Sequence, residues 1–165
     1  SNLMGEFPIG RPQNLTPAIT QTAIGKIPEL TVFGDDYPTR DGSCVRDFIH
    51  VCDLASAHTL AIKYAMSSSK DPNPEVFNLG TGAGITVLEA IKAFEKVSGS
   101  SLHHKIGPRR SGDVVAIYAN NDRAKAKLGW NPRFSLEDIM ATAWQWEQKL
   151  RDDEQFFSRQ NSSLN

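Results

Sequence analysis

Long apolar runs are missing from this sequence, so no segment is expected to cross a bilayer as a helix. No basic stretch followed by an apolar one stands near the beginning, which argues against a secretory leader. Excess charge of one sign is missing too. Eighteen Lys and Arg face nineteen Asp and Glu, for a formal net charge of −1. No global field therefore recruits nucleic acid or an anionic membrane, and any anion site must be local. Cysteine is scarce: Cys44 and Cys52 have no CxxC or CxxH companions. That spacing excludes a zinc site and leaves two free thiols suited to a reducing cytosol.

Two catalytic signatures are absent as well. GTGAG at residues 80–84 sits between an apolar run and a helix, but the third glycine of Gly-x-Gly-x-x-Gly is replaced by Ile85. No acidic residue closes a following strand to take a ribose, so a tight strand-to-helix turn is the better reading. Tyr37, Tyr64 and Tyr118 are followed four residues on by Asp41, Ser68 and Asp122, so the Tyr/Lys pair of short-chain dehydrogenases is missing. This chain is expected to bind no nicotinamide cofactor, to carry no catalytic residue and to hold no metal. His103 and His104 are adjacent on a predicted strand, face opposite ways and make a poor metal pair.

What remains is an ordinary globular composition, 39% hydrophobic and 22% charged over 165 residues, enough for one core. Four helices are predicted. Thr16-Pro17 supplies a cap and a first-turn proline, and Gly25 a stop. Asp53 caps a second helix carrying Leu54, Ala57, Leu60, Ala61, Tyr64 and Ala65 at helical spacing, ending in the loop SSSKDPNP. Thr86-Val87-Leu88-Glu89 reads as a capping box for a third, which stops at Gly99. Ser135 opens the fourth, with Leu136, Ile139, Met140, Ala143, Trp144 and Leu150 as its stripe. A shorter turn is expected over Asp122 to Leu128, closed by Gly129. Strands are predicted at Leu30–Phe33, Phe48–Val51, Val76–Leu79 and His103–Ile106. Strands alternating with helices make the class α/β, but they are too few and too short for a complete doubly wound sheet.

Two loops stand out. Val45-Arg46-Asp47 leads into an apolar run, and Pro108-Arg109-Arg110-Ser111-Gly112-Asp113 joins two arginines to a carboxylate. Guanidinium groups donate two parallel bonds to phosphate oxygens, which lysine cannot copy, and a nearby Asp can accept from paired hydroxyls. On spacing alone, plain surface ion pairs are the commoner explanation of arginines beside aspartates.

The segment FGDDYPTRDGSCVRDFIHVCDLA resembles the UDP-glucose 4-epimerases (UDP-galactose 4-epimerases) of the extended short-chain dehydrogenase/reductase family. MGEFPIGRPQNLTP, FNLGTGAGITVLEAI, PRRSGDVVAIYAN and AKLGWNPRFSLEDI follow in the same order, so the likeness runs from Met4 to Leu150. RDFIHVCDLA alone is shared with sugar-nucleotide dehydratases and decarboxylases; the longer run is the more specific. The resemblance implies the C-terminal, substrate-binding part of such an enzyme. The N-terminal Rossmann domain, with its NAD site, Tyr/Lys pair and dimer helices, would be missing. Residues 1–151 would form the UDP-sugar-binding subdomain and 152–165 a polar, frayed tail.

Position by position, the resemblance implies that Asn14 meets the diphosphate, with Leu15 offering a backbone amide. Thr31 and Phe33 would hold uracil, Arg46 and Arg110 the phosphates, and Asp113 the ribose. Ile117, four residues past Asp113, would stand beside the hexose and crowd an N-acetyl group. The intact enzyme would interconvert UDP-galactose and UDP-glucose through an NAD-dependent 4-keto intermediate in the cytoplasm, as a homodimer not formed through this part. The fragment itself would be inactive. A related dehydratase or decarboxylase, or a non-catalytic sugar-nucleotide-binding module, is the alternative.

Overall fold

The computed structural model describes residues 5–67 and 75–162, with side chains of the last helix described as far as residue 153. Ser1, Asn2 and most of the expected SSSKDPNP loop lie outside the described residues. Among the described residues, five helices and four short strands follow in the order α1 (Leu15–Ala23), β1 (Leu30–Phe33), β2 (Val45–Arg46), α2 (Val51–Ser67), β3 (Ile85–Thr86), α3 (Val87–Ser98), β4 (His104–Gly107), α4 (Asp122–Leu128) and α5 (Leu136–Ser162). β1 pairs with β4 in parallel, and β2 pairs with β3 antiparallel. α5 continues past residue 151, where the polar tail was expected to begin.

α3 is the best-specified element. The Thr86 hydroxyl accepts from the Glu89 amide at 3.1 Å, and the Glu89 carboxylate accepts from the Thr86 amide at 2.9 Å. Gly99 ends the helix at φ +70°, a conformation that costs glycine little. Ala90, Ile91 and Phe94 turn inward to meet Ile19 of α1, Val32 of β1 and Met140 of α5 in the main core. There Phe94 meets Trp144 edge-on at 5.5 Å. A second cluster joins Ala57 of α2 to Ala124 and Leu128 of α4 around Trp130, whose indole N–H donates to the Asp53 carbonyl at 2.9 Å.

Several local expectations are corrected. The α1 cap position is Asn14, not Thr16. Pro17 falls third in the helix, where its missing N–H is still one of the unpaired four. α2 begins at Val51, so Asp53 is not its cap. The His50 ring accepts from the Cys52 amide at 3.1 Å and does that work. Asp53, wholly buried, instead accepts from the amides of Arg133 and Phe134 at 2.9 and 3.1 Å, tying α2 to the approach to α5. Burial pushes the His50 pKa down, which favours the neutral ring a capping acceptor needs. Phe48–His50 and Val76–Leu79 form no strand; the ladder residues are Val45–Arg46 and Ile85–Thr86. β4 starts one residue later than predicted.

Candidate functional site

The site is built where β1 and β4 end side by side. Leu30 donates to the His103 carbonyl at 3.0 Å and Gly34 to that of Gly107 at 2.9 Å. Main-chain groups alternate along a strand. Thr31 and Phe33 therefore turn their N–H and C=O groups to the opposite edge, where no strand pairs among the described residues. A planar ring carrying both a donor and an acceptor can complete that edge. Thr31 also lines a cavity of about 750 Å³ rimmed by Arg11, Lys26, Glu29, His103 and Lys105.

Arg46, Arg110 and Asp113 come together. Arg46 donates from Nη1 to the carbonyls of Val45 and Val114 at 2.8 and 2.9 Å, and from Nη2 to Asp113 Oδ1 at 3.1 Å. Arg110 donates to the same oxygen at 2.9 Å, with its guanidinium 5.6 Å from the centre of the Phe33 ring. The Asp113 side chain is only 11% exposed. The Arg110 guanidinium holds its carboxyl below the usual range despite burial, and Asp113 in turn raises Arg110. Two cations thus share one anion, leaving a positive balance of one in a chain with net charge −1. Fixed guanidiniums with unspent N–H groups are suited to the oxygens of a phosphate.

The remaining expected residues are more scattered. Asn14 spends its side-chain amide on Glu6 Oε1 at 2.7 Å, and Leu15 packs against the main core. No hydrogen bond or ring contact joins either to the arginines among the described residues. Ile117 donates its amide to the Val45 carbonyl at 3.1 Å, and the residue is 59% exposed.

Asp47, the neighbour of Arg46, was not anticipated. Its carboxylate accepts from the Thr81 amide and hydroxyl at 2.9 and 2.6 Å, from the Ala119 amide at 3.0 Å and from Gly82 at 3.4 Å. It thereby fastens the GTGAG turn and the far end of the 113–119 segment to β2. Val45 fastens the middle of that segment, donating to the Val115 carbonyl at 2.9 Å. A Cβ on Gly80 would lie 2.2 Å from Asp47 Oδ2, so the approach requires glycine. The turn amides that could face a nucleotide phosphate are thus already taken, and the GTGAG turn does not fit a dinucleotide. Among the described residues no group of three or more His, Cys, Asp or Glu side chains converges as for a metal, and Cys44 and Cys52 are free thiols.

A family model described as GDP-mannose 4,6 dehydratase matches residues 4–143. UDP-glucose 4-epimerase 3 of Oryza sativa subsp. japonica is 50% identical over 146 residues, covering 88% of this chain and 39% of that protein. The crystal structure of UDP-glucose-4-epimerase from Stenotrophomonas maltophila with bound NAD and formylated UDP-arabinopyranose superposes with a TM-score of 0.88 at 45% identity, over 92% of this chain and 44% of that one. The Bifidobacterium longum UDP-glucose 4-epimerase in complex with NAD+ and UDP gives 0.83 at 44% identity, over 90% and 43%. The chain spans about two fifths of the length of these relatives.

Proposed function

This chain belongs to the GDP-mannose 4,6 dehydratase family, and from that premise we propose that it is the UDP-sugar-binding part of a UDP-glucose 4-epimerase. The observation that carries the proposal is the sharing of Asp113 Oδ1 by Arg46 and Arg110 beside the Phe33 ring. In this reading the two guanidiniums take the diphosphate, Asp113 turns to the ribose hydroxyls, and the outer edge of β1 at Thr31 and Phe33 receives uracil. Asn14 and Leu15 meet the diphosphate from the start of α1. Binding energy spent on the carrier leaves the hexose free to turn over during catalysis.

The whole enzyme interconverts UDP-galactose and UDP-glucose with NAD held outside this chain, since the glycine turn does not fit that cofactor. The chain alone binds and does not turn over. Val114, Val115, Ile117 and Tyr118 expose apolar surface along one segment, which supports cover by the rest of the protein. A homodimer forms through that other part and not through this one. No helix among the described residues is long and apolar enough to cross a membrane, and two free thiols suit a cytoplasmic protein. Ile117 crowds an acetamido group, so the simple hexoses are preferred over the N-acetylated pair.

Calorimetric titration of this chain with UDP, UMP and GDP tests the proposal. UDP is expected to bind, UMP less tightly and GDP least. A folded chain indifferent to UDP, or preferring GDP, refutes it. In the whole protein, turnover of UDP-galactose against UDP-glucuronate separates an epimerase from a dehydratase or decarboxylase. Equal use of simple and N-acetylated hexoses would remove the role given to Ile117.

A further inference from the structure

We propose that Arg109 is a positioning residue that straps the turn after β1 to the turn after β4 and so fixes where Arg110 stands. The inference rests on the UDP-binding reading above, which uses Arg110 and leaves its neighbour without a task.

The two arginines diverge. Arg110 reaches Asp113, while Arg109 donates from Nε to Asp36 Oδ1 at 2.7 Å and from Nη2 to the Asp36 carbonyl at 2.8 Å. Its guanidinium carbon lies 4.2 Å from the centre of the Tyr37 ring, and that residue is 5% exposed. Stacking on an aromatic face together with a two-point hold on one residue is a geometry that lysine cannot reproduce.

The contact lies just beyond the last rung of the ladder. The ladder of β1 and β4 ends with Gly34 donating to Gly107. Beyond it the chains separate into the 35–42 and 108–112 turns. Gly34 has φ +86°, and a Cβ there would stand 2.6 Å from the Tyr37 ring and 2.9 Å from Arg109 Cγ. The strap thus lies flush on bare backbone. Charge separates the roles of the neighbours: Arg109 is matched one to one by Asp36, whereas Arg46 and Arg110 divide a single carboxylate.

The test titrates UDP and UMP into the 165-residue chain and its Arg109→Ala, Arg109→Lys, Arg110→Ala and Arg109→Ala/Arg110→Ala variants. Arg109→Ala is expected to weaken UDP binding roughly three- to tenfold, the range of an exposed ion pair plus a cation–π contact. Lysine should not rescue it. The ratio of UDP to UMP affinity should fall, because only Arg110's share of the grip on the diphosphate is disturbed while the hold of β1 on uracil stays; a general loss of structure would weaken both ligands alike and overturn the proposal. In the Arg110→Ala background the Arg109→Ala effect should shrink to less than about twofold. If it persists there in full, Arg109 touches the ligand itself and the positioning role fails. Should the parent chain bind no UDP, the function proposed above falls, and amide exchange still decides the strap. Faster exchange at Gly34 and Asp113 in Arg109→Ala sustains it, and unchanged protection refutes it.

Discussion

Replacing Asp47 by alanine removes the one acceptor on which Thr81, Gly82 and Ala119 converge. Three donors lie at 2.6–3.0 Å and a fourth at 3.4 Å. A bond to a charged acceptor contributes about 1.5–3 kcal/mol, but these four share two oxygens, and Asp47 is only half-buried. The freed turn amides and the Thr81 hydroxyl can reach water, so the net loss is about 2–3 kcal/mol in total. At roughly 2–4 °C per kcal/mol for a chain of this size, Tm should fall by about 4–12 °C. Asp47→Asn keeps one acceptor oxygen and should fall between the two. Gly80→Ala should imitate the loss, because its methyl group would displace the carboxylate. Calorimetry gives the stability, and amide exchange at Thr81 and Ala119 locates it. An Asp47→Ala protein melting within about 1 °C of the parent, with Ala119 still protected, would refute the reasoning.

Arg46→Ala should weaken UDP binding about 10- to 150-fold, the worth of a charge-assisted bond of about 1.5–3 kcal/mol; Arg110→Ala, which removes the more exposed partner, should cost less, and calorimetry that reversed this order would reassign the clamp. Asp53→Ala should lose about 2–4 kcal/mol in urea denaturation, since two half-buried amides lose their buried acceptor, with Asp53→Asn retaining part. The Arg40 guanidinium holds Glu89 down at about 2 from an ordinary 4.5. The stability this contributes is complete above pH 4.5 and drains away as pH falls toward 2. Thermal melts between pH 5 and 2.5 should therefore drop more steeply for the parent than for Arg40→Ala, and parallel curves would contradict it.

Elements whose signals are local were legible. Thr86 and Glu89 announce α3 by their own spacing, Gly129 closes α4, and Leu30–Phe33 is a strand as read. Elements defined by distant partners were not. Val45–Arg46 is a strand because Ile85–Thr86 and the segment carrying Val115 and Ile117 lie against it. The apolar run Phe48–Val51 read as a strand, but Phe48 packs on the main core and Ile49 on the second cluster, with no ladder between them. Asp53 has the spacing of a cap, yet its carboxylate serves residues 133 and 134. Arg46, Arg110 and Asp113 could be named as a group from likeness to a family, while the tasks of Asp47 and Arg109 depend on contacts that no spacing reveals. Both sit directly beside an arginine already singled out, and that adjacency was the available clue.

The parallel pairing of Leu30 with His104 has a kinetic consequence. Everything between them must be held as a closed loop before the first rung forms, an entropic toll that local helices never meet. Phe33 and Arg110 flank the finished rungs, so they acquire their neighbours only as that closure completes. The ligand-gripping surface should therefore be among the last regions to gain protection during refolding, well after α3, and a bound uridine nucleotide should slow unfolding far more than it speeds folding.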